Sequence, residues 1–530
     1  MATATKPGAP GGAGAGTAPR QASLVLIALI AVAAVANLNL TVANVALPDI
    51  ARAFDTGQTA LDLIAIGYSL GLAGSVLYLG ALGDRYGRKM MLVLGVLLSV
   101  PACLMAAYAP DAGVLVAGRL LGGISAGMAY PTTLALITAL WSGRARIKAI
   151  ALWSGIGGGI TSLGPLLAGL VLQHFWWGSA FLLTLPLAVV ALILALACVP
   201  PHVNETTGRV DNLGGVLSMV FVAALVITIN FVPVPGGGAL ALGTAVIALA
   251  AGAGFFLRQH RARPPLYDLH VAGRRIFWVA AVGGIIVFGS LMGAIFVGQQ
   301  FLQDVLGYSP LQAGLAILPA AVCMVGFAPL SARLVHARGS GFTLLTGYLF
   351  CMLSFLTMLL LWKQGSAYWV VGLAFAFLGV GIGLAGTPAS HSLTSSVPTR
   401  RAGMASATAD LQRDLGGAII QSIMGALLTA GYASAIARQV ASAPNRGKIS
   451  GSVQSQLEKS FAGAQQVAQR YPHYASQITA AAKSAFLSGD QWAYAAAIIG
   501  VLFGAALVFL MFPRHKAELS LLARYQAEDS

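Results

Sequence analysis

Charged residues are scarce in this sequence. Only 9% of its 530 residues are Asp, Glu, Lys or Arg, and 57% are hydrophobic. A water-soluble protein typically has roughly 25% charged residues, most of them on its surface. The scarcity of charge therefore excludes a soluble globular protein and predicts a polytopic membrane protein.

Cysteine is also rare, and the nucleotide-binding phosphate loop is missing. The four cysteines all fall in apolar stretches, so neither a disulfide nor a metal site is expected: Cys103, Cys198, Cys323 and Cys351. The sequence contains no G-x-x-x-x-G-K-[ST] phosphate loop, which predicts that the chain has no nucleotide-driven engine of its own. Any uphill transport would have to use an ion gradient, and no cofactor is expected.

Long apolar runs dominate what is present. A helix needs about 20 apolar residues to cross a hydrocarbon core about 30 Å thick. The predicted spans are 24–47, 61–82, 90–108, 113–138, 147–173, 179–199, 212–232, 239–257, 277–300, 311–332, 343–362, 367–388, 404–430 and 491–512. Fourteen spans place both termini on the same side of the membrane.

The basic residues indicate which side that is. The loops that carry most of them contain Arg85, Arg88, Lys89, Arg144, Arg146, Lys148, Arg209, Arg258, Arg261, Arg263, Arg274, Arg275, Arg333, Arg338, Arg400 and Arg401. The short loops on the other side carry only Arg52 and Lys363. The positive-inside rule then predicts a cytoplasmic location for the basic loops, for a disordered tail at 1–22 and for the tail at 513–530. The net charge of +15 is thus a topology signal and does not indicate nucleic-acid binding.

The turn between the second and third spans carries a motif. Residues 80–89 read GALGDRYGRK, and the motif positions are Gly80, Asp84, Arg85, Gly87, Arg88 and Lys89. The sequence resembles the loop 2–3 motif G-x-L-x-D-R-x-G-R-[RK] of the major facilitator superfamily. The resemblance implies a gating turn that locks the two halves of a transporter in one state and releases them in the other. A plain charged turn, set only by the positive-inside rule, is the alternative.

Further segments resemble one branch of that family, the 14-span drug:proton antiporters of the QacA/EmrB type. They are NLTVANVALP (39–48), 115–127, 155–169, FWWGSAFLLTLP (175–186), FLQDVLGYSPLQAGLAILP (301–319) and ADLQRDLGGAI (409–419). The resemblance implies an all-α major facilitator fold. Six-helix bundles are expected at 23–200 and 259–512, with two inserted helices at 201–258.

The matched segments contain two groups of candidate residues. Arg119 lies about 9 Å into its span at 1.5 Å per residue, so it must face the protein interior. In the family the matching arginine takes part in proton coupling, whereas a brace that binds backbone carbonyls of helix 1 is the alternative. Gly164, Pro165 and Gly169 match the fifth-helix antiporter motif, which implies a gate between the halves. Plain close packing of small residues is the alternative there.

The chain departs from the family pattern at two positions. Asn39 stands where the family has an aspartate, and Gly122 stands where it has a glutamine. A neutral amide cannot carry a proton or attract a cation as a carboxylate can. Asp62, at the outer end of the second span, is either a helix N-terminal charge or part of an outer vestibule.

Acidic residues reappear in the thirteenth span. Counted from Gly403, Asp414 lies about 16 Å along a helix, near the middle of a core about 30 Å thick. Asp410 and Asp414 share a face at i, i+4, with Arg413 beside them. Charges at this depth are costly and indicate a functional site. We expect proton coupling here, and a structural ion pair is the alternative.

A polar segment, 436–488, separates the last two spans on the outer side. Val453, Leu457 and Phe461, and then Tyr474 and Ile478, recur at helical spacing around Pro472. The pattern predicts two short amphipathic helices. They would form a surface cap or, alternatively, a lid that recruits substrate or a partner.

Together these features predict a transporter and not an enzyme. The expected function is proton-coupled efflux of lipophilic and in part cationic drugs or toxic compounds by alternating access. The low lysine count and the high Ala and Gly content are typical of a GC-rich bacterial genome, which places the protein in a bacterial inner membrane. An exporter or flippase of a lipid or other endogenous amphiphile is one alternative, favoured by the neutral Asn39. A non-transporting membrane receptor that uses 436–488 to bind a partner is another.

Overall fold

The computed structural model describes residues 21–54, 58–201, 210–232, 237–263, 265–398, 401–443 and 449–529. Within them the chain forms α-helices, a π-helical turn at Phe301–Val305 and a 3₁₀ turn at Pro472–Tyr474. The α-helices are α1 (Ala22–Phe54), α2 (Gln58–Tyr86), α3 (Arg88–Ala107), α4 (Ala112–Leu140), α5 (Gly143–Leu172), α6 (Ser179–Leu182), α7 (Leu185–Cys198), α8 (Asn212–Phe231), α9 (Gly238–Arg261), α10 (Leu269–Ala272), α11 (Arg275–Gln300), α12 (Pro310–Ala316), α13 (Leu318–Arg338), α14 (Ser340–Leu361), α15 (Tyr368–Ser395), α16 (Ala402–Ser442), α17 (Gly451–Lys459), α18 (Phe461–Arg470), α19 (Ala475–Met511) and α20 (His515–Asp529).

Fourteen stretches of these helices are long and apolar enough to cross a membrane, which confirms the predicted number. The sixth span combines α6 and α7, and the tenth combines most of α12 with α13. Large apolar side chains on the outer surface of the bundle, such as Leu249 and Phe509, are more than 70% exposed. Such surface suits contact with lipid. The described part of the chain is therefore all-α, with the helices of a multi-pass membrane protein.

Glycines let the helices approach within each half of the molecule. The first half is defined here as α1–α7, and the second half as α11–α16 with α19. A Cβ atom on Gly71 of α2 would lie 2.3 Å from the carbonyl oxygen of Leu120 in α4. A Cβ atom on Gly416 of α16 would lie 2.2 Å from the carbonyl oxygen of Ile285 in α11. Only glycine fits such contacts, so each of these close helix approaches requires a glycine at that position.

The hairpin of α8 and α9 packs on the first half through α2. The Tyr78 hydroxyl of α2 donates a 3.0 Å hydrogen bond to Oδ1 of Asn212 at the start of α8. A Cβ atom on Gly215 would lie 2.1 Å from the Tyr78 ring, so the glycine makes room for that ring. The hairpin covers residues of the predicted inserted pair, 201–258, as far as the described residues extend.

The prediction of a second short helix after Pro472 is wrong. Both short helices, α17 and α18, precede Pro472, while Ile478 lies in the continuous helix α19. Proline disfavours a helical conformation in the residue before it, and Tyr471 has φ −123° and ψ 71°. After the 3₁₀ turn, the alanine-rich sequence from Ala475 contains no helix breaker, so α19 continues into the membrane.

The C-terminal tail contains a docked helix, α20. Its Asp529 accepts hydrogen bonds of 2.9 and 2.8 Å from the guanidinium of Arg274, just before α11. Its Glu518 accepts bonds of 3.3 and 3.0 Å from the backbone N–H of Ser340, at the start of α14. These contacts hold α20 against the end of the second half that carries the basic loops, which is called the basic end below.

Candidate functional site

A small cavity lies between the two halves, near the middle of the bundle. Its volume is about 40 Å³, whereas pockets for small ligands span roughly 300–1,000 Å³. The residues that line it include Asn37, Tyr68, Tyr130, Phe288, Met324, Asp410, Arg413 and Asp414. A cavity of this volume cannot hold a drug-sized molecule.

The two aspartates of α16 lie on the cavity wall. Asp410 is 1% exposed and Asp414 is 8% exposed. Within the described part of the chain, both carboxylate oxygens of Asp410 and Oδ2 of Asp414 have no hydrogen-bond partner. An ionised carboxylate that is buried without donors costs several kcal/mol, which makes these two residues candidates for a functional site.

Arg413 contacts aromatic rings and, within the ranges described, makes no ion pair with these aspartates. Its Nη1 donates a hydrogen bond to the Tyr130 hydroxyl of α4. Its guanidinium carbon lies 5.3 Å from the ring centre of Tyr130, 4.7 Å from that of Trp153 and 4.7 Å from that of Phe288. Among the described residues, no ion pair joins Arg413 to Asp410 or Asp414. The alternative of a structural ion pair therefore does not describe this state.

Arg119 is held inside the first half. Its Nη1 donates a 2.5 Å hydrogen bond to the carbonyl of Asn39, and its Nε donates a 3.3 Å bond to the carbonyl of Ile64. The guanidinium also lies over the rings of Tyr68 and Phe181, at 4.9 and 5.8 Å. This geometry is that of the carbonyl brace, the alternative given for Arg119. A role in proton coupling stays a prediction.

The side chain of Asn39 faces away from the cavity. Its Nδ2 donates to the carbonyl of Val35 at 3.1 Å, and its Oδ1 accepts from the hydroxyl of Thr184 at 3.1 Å. Asn37 lines the cavity instead, and its Nδ2 donates a 3.0 Å bond to the carbonyl of Gly157 in α5. Residues two apart on a helix point about 200° apart. The sequence pattern pointed to Asn39 and not to Asn37, although the helix period shows that the two side chains lie on different faces of α1. Only Asn37 lines the cavity.

The turn with the motif at 80–89, predicted to be a gating turn, joins the two halves at the basic end. Oδ1 of Asp84 accepts bonds of 2.9 and 2.8 Å from the guanidinium of Arg88. Oδ2 of Asp84 accepts a 3.1 Å bond from the backbone N–H of Gly403, at the start of α16 in the second half. Gly87 has φ 119°, a conformation that favours glycine.

Other contacts lie at the same end of the molecule, some within the first half and some between the halves. Arg88 is 1% exposed, and Lys89 Nζ donates a 2.8 Å bond to the carbonyl of Leu196. Arg85 lies 5.4 Å from the ring centre of Tyr86. A Cβ atom on Gly80 would be in ordinary contact, 3.5 Å, with that of Ala407 in α16. The Ser406 hydroxyl also donates to the carbonyl of Pro131 in the first half.

The glycines of α5 face both halves. A Cβ atom on Gly164 would lie 1.9 Å from the hydroxyl oxygen of Thr41 in α1. A Cβ atom on Gly158 would lie 2.0 Å from the methyl carbon of Met324 in α13, across the interface. Pro165 and Gly169 are buried beside them. Close packing is therefore present at this motif, and its role as a gate remains a prediction.

Asp62 lies near the start of α2, but its side chain is outside the described residues.

The sequence matches a known family and several named relatives. The profile of the family described as Major Facilitator Superfamily matches residues 29–421. The chain is 32% identical to a Mycolicibacterium smegmatis protein named multidrug efflux pump LfrA, over 94% of this chain and 97% of that protein. It is 33% identical to multidrug resistance protein Stp of Mycobacterium tuberculosis, over 77% of this chain and 76% of that protein.

Two solved transporters have the same fold. The human organic anion transporter MFSD10 superimposes with a TM-score of 0.58 at 15% identity, over 92% of this chain and 99% of that one. The proton:xylose symporter XylE superimposes with a TM-score of 0.57 at 13% identity, over 93% of this chain and 96% of that one. At such low identity these likenesses concern the fold alone.

Proposed function

The chain belongs to the Major Facilitator Superfamily, and we propose that it is a proton-coupled exporter of lipophilic compounds, cationic ones included. It would work by alternating access in a bacterial inner membrane, with both termini in the cytoplasm. Relatives named multidrug efflux pump and multidrug resistance protein, which match most of the chain, support efflux of drug-like substrates.

One observation carries the proposal. Asp410 and Asp414 are buried on the wall of the cavity between the two halves, and both oxygens of Asp410 and Oδ2 of Asp414 lack donors among the described residues. A carboxyl at that place can hold a proton while the cavity is empty and release it when a cation enters, because the cation stabilises the carboxylate. Proton and substrate would then compete for one site as the cavity opens to each side in turn.

The rest of the cavity wall suits apolar substrates. Tyr68, Tyr130 and Phe288 contribute aromatic rings, and Met324 contributes a flexible, polarisable side chain. Such walls can repack around ligands of different shape. At about 40 Å³ the cavity must widen before it can hold a ligand, which alternating access would achieve by parting the halves.

Transport by purified protein in liposomes tests the proposal. With the basic end outward, we expect tetraphenylphosphonium to accumulate in the lumen when the lumen is more acidic than the bath. A protonophore should collapse that accumulation. Accumulation that ignores the pH difference would contradict proton coupling. Transfer of a labelled phospholipid without tetraphenylphosphonium transport would favour the flippase alternative, and no transport of either would favour a receptor.

A further inference from the structure

The aromatic site around Arg413 is unusual because a side chain of the protein fills it. Tyr130 and Trp153 come from the first half, whereas Phe288 and Arg413 come from the second. All three rings lie within 5.3 Å of the guanidinium carbon, measured to the ring centres. Trp153 is 1% exposed, and its indole N–H donates a 3.0 Å bond to the hydroxyl of Thr133. The rings are thus fixed in place by packing and by that hydrogen bond.

A guanidinium in such a site is held by its charge and its planarity. Ring faces attract cations by about 2 kcal/mol when water is excluded, and a planar cation can lie flat against them. Meanwhile Nε of Arg413 has no hydrogen-bond partner among the described residues. The arginine is therefore retained mainly by the rings and by one bond to Tyr130.

We propose that Tyr130, Trp153 and Phe288 form the binding subsite for a planar organic cation, and that Arg413 occupies this subsite until substrate displaces it. This subsite rests on the proposed function, and it adds a substrate class, planar organic cations, and the position at which they bind. Arg413 acts as a tethered competitor that keeps the empty cavity collapsed. A planar cation entering from the cavity takes over the same ring faces.

The displaced arginine has a destination on its own helix. Asp410 lies three residues before Arg413, so their side chains are neighbours on the surface of α16. Both oxygens of Asp410 lack partners among the described residues while Arg413 is in the rings. Arg413 can therefore turn back to Asp410. The proton of Asp410 would then pass to water that enters as the cavity widens, and the carboxylate would pair with the guanidinium. Because this movement withdraws Arg413 from the first half, it also removes a contact that joins the halves.

Binding of ethidium, a planar cation, to the purified protein in detergent tests the subsite without any gradient. Arg413→Gln removes the competitor, so ethidium affinity should increase about tenfold, which corresponds to 1.4 kcal/mol. Arg413→Lys keeps a competing cation and should bind close to the wild-type affinity. An arginine that only braces α16 would give the opposite result, because its removal would weaken binding or unfold the protein.

The rings provide the second arm of the test. In the Arg413→Gln background, Trp153→Leu should weaken ethidium binding about tenfold. Tetraphenylphosphonium, which is not planar, should respond less to the same changes. Arg524→Gln, on the exposed face of α20, serves as a matched control for loss of one arginine.

The proposal is overturned if well-folded Arg413→Gln binds ethidium no better than the wild type, or if Trp153→Leu leaves its binding unchanged. Should Trp153→Leu fail to fold, Trp153→Phe keeps a smaller ring and should weaken binding partially. Failure of proton-driven accumulation in liposomes with intact ethidium binding would reject the proposed function and leave the subsite standing.

Discussion

Asp84 and Gly403 are 319 positions apart in the sequence, yet the Asp84 carboxylate accepts a 3.1 Å hydrogen bond from the backbone N–H of Gly403. The bond joins the end of α2 to the first turn of α16, where helix N–H groups have no partner within the helix. A Cβ atom on Gly403 would lie 2.1 Å from Asp84 Oδ2, so the approach requires glycine. The gating turn thus binds the second half through the N-terminus of the helix that carries Asp410 and Asp414.

Asp84→Asn should weaken closure at the basic end. An amide loses the charge that strengthens both bonds, and a hydrogen bond to a charged group contributes about 1.5–3 kcal/mol. The closed state should lose about 10- to 100-fold in population, and efflux should fall while the protein remains folded. Liposome transport and labelling of a cysteine placed at the basic end would measure the two effects. Efflux by well-expressed Asp84→Asn at the wild-type rate would reject a gating role.

Gly164→Ala should destabilise the contact between α1 and α5. The new methyl group would lie 1.9 Å from the Thr41 hydroxyl oxygen, and overpacking of this kind costs about 1–3 kcal/mol. Thr41→Ala removes that oxygen and should restore part of the loss in the double variant. Thermal unfolding in detergent gives the comparison. Gly326→Ala is the matched control, because a Cβ atom there meets nothing within 4 Å; equal effects at both glycines would contradict the packing argument.

Asp414→Asn should abolish proton-driven accumulation to the passive level. The variant cannot exchange a proton at this position, but the amide keeps the shape of the site, so downhill exchange or substrate binding should persist. Asp410→Asn should shift the pH optimum or the substrate range. Glu458→Gln, in the polar segment far along the chain, is the control for loss of a carboxylate. If the double variant Asp410→Asn, Asp414→Asn still accumulates substrate against a gradient, coupling resides elsewhere.

Asn39→Asp should increase the pH dependence of efflux or widen the range of monovalent cations. The new carboxylate would lie beside Arg119, whose Nη2 has no partner among the described residues and whose Nη1 already bonds the backbone carbonyl of residue 39. Asn37→Asp, on the cavity wall, is the comparison. Unchanged cation efflux and pH profile in Asn39→Asp would show that this position is outside the substrate and proton paths.

Docking of α20 should depend on pH through Glu518. Burial raises the pKa of Glu518 above its ordinary value of 4.5, although the N–H of Ser340 and the charge of His515 act in the other direction. A raised pKa in the docked state means that protonation favours docking. The gain is fully present below pH 4.5 and is lost as the pH rises through the docked-state pKa. Hydrogen exchange of residues 515–529 should therefore increase with pH over that window.

Glu518→Gln should remove that pH dependence. The amide oxygen can still accept from Ser340 but does not titrate. Exchange rates in the variant should stay flat once the intrinsic effect of pH on amide exchange is subtracted. A pH dependence that survives the substitution would place the titrating group elsewhere, with His515 the first to test.

The sequence by itself determined the membrane class and the number of spans. Both follow from local apolar runs, because a bilayer requires about 20 apolar residues per crossing wherever they occur in the chain. The motif at 80–89 likewise marked the charged turn between α2 and α3, since its glycines and charges act within a few residues. Local periodicity wrongly predicted a second short helix after Pro472, because the residues after the proline form the start of the long helix α19, which continues into a span.

Only the tertiary structure decided which partners these residues have. It placed Gly403 against Asp84, Asn37 on the cavity wall in place of Asn39, and Arg413 among rings from both halves without an ion pair to its neighbouring aspartates. Each of these contacts joins helices that are distant in sequence, and a hydrophobic pattern records only that a face is buried, not what it is buried against. The packing of the two halves sets the partner, and the partner sets what each side chain can do.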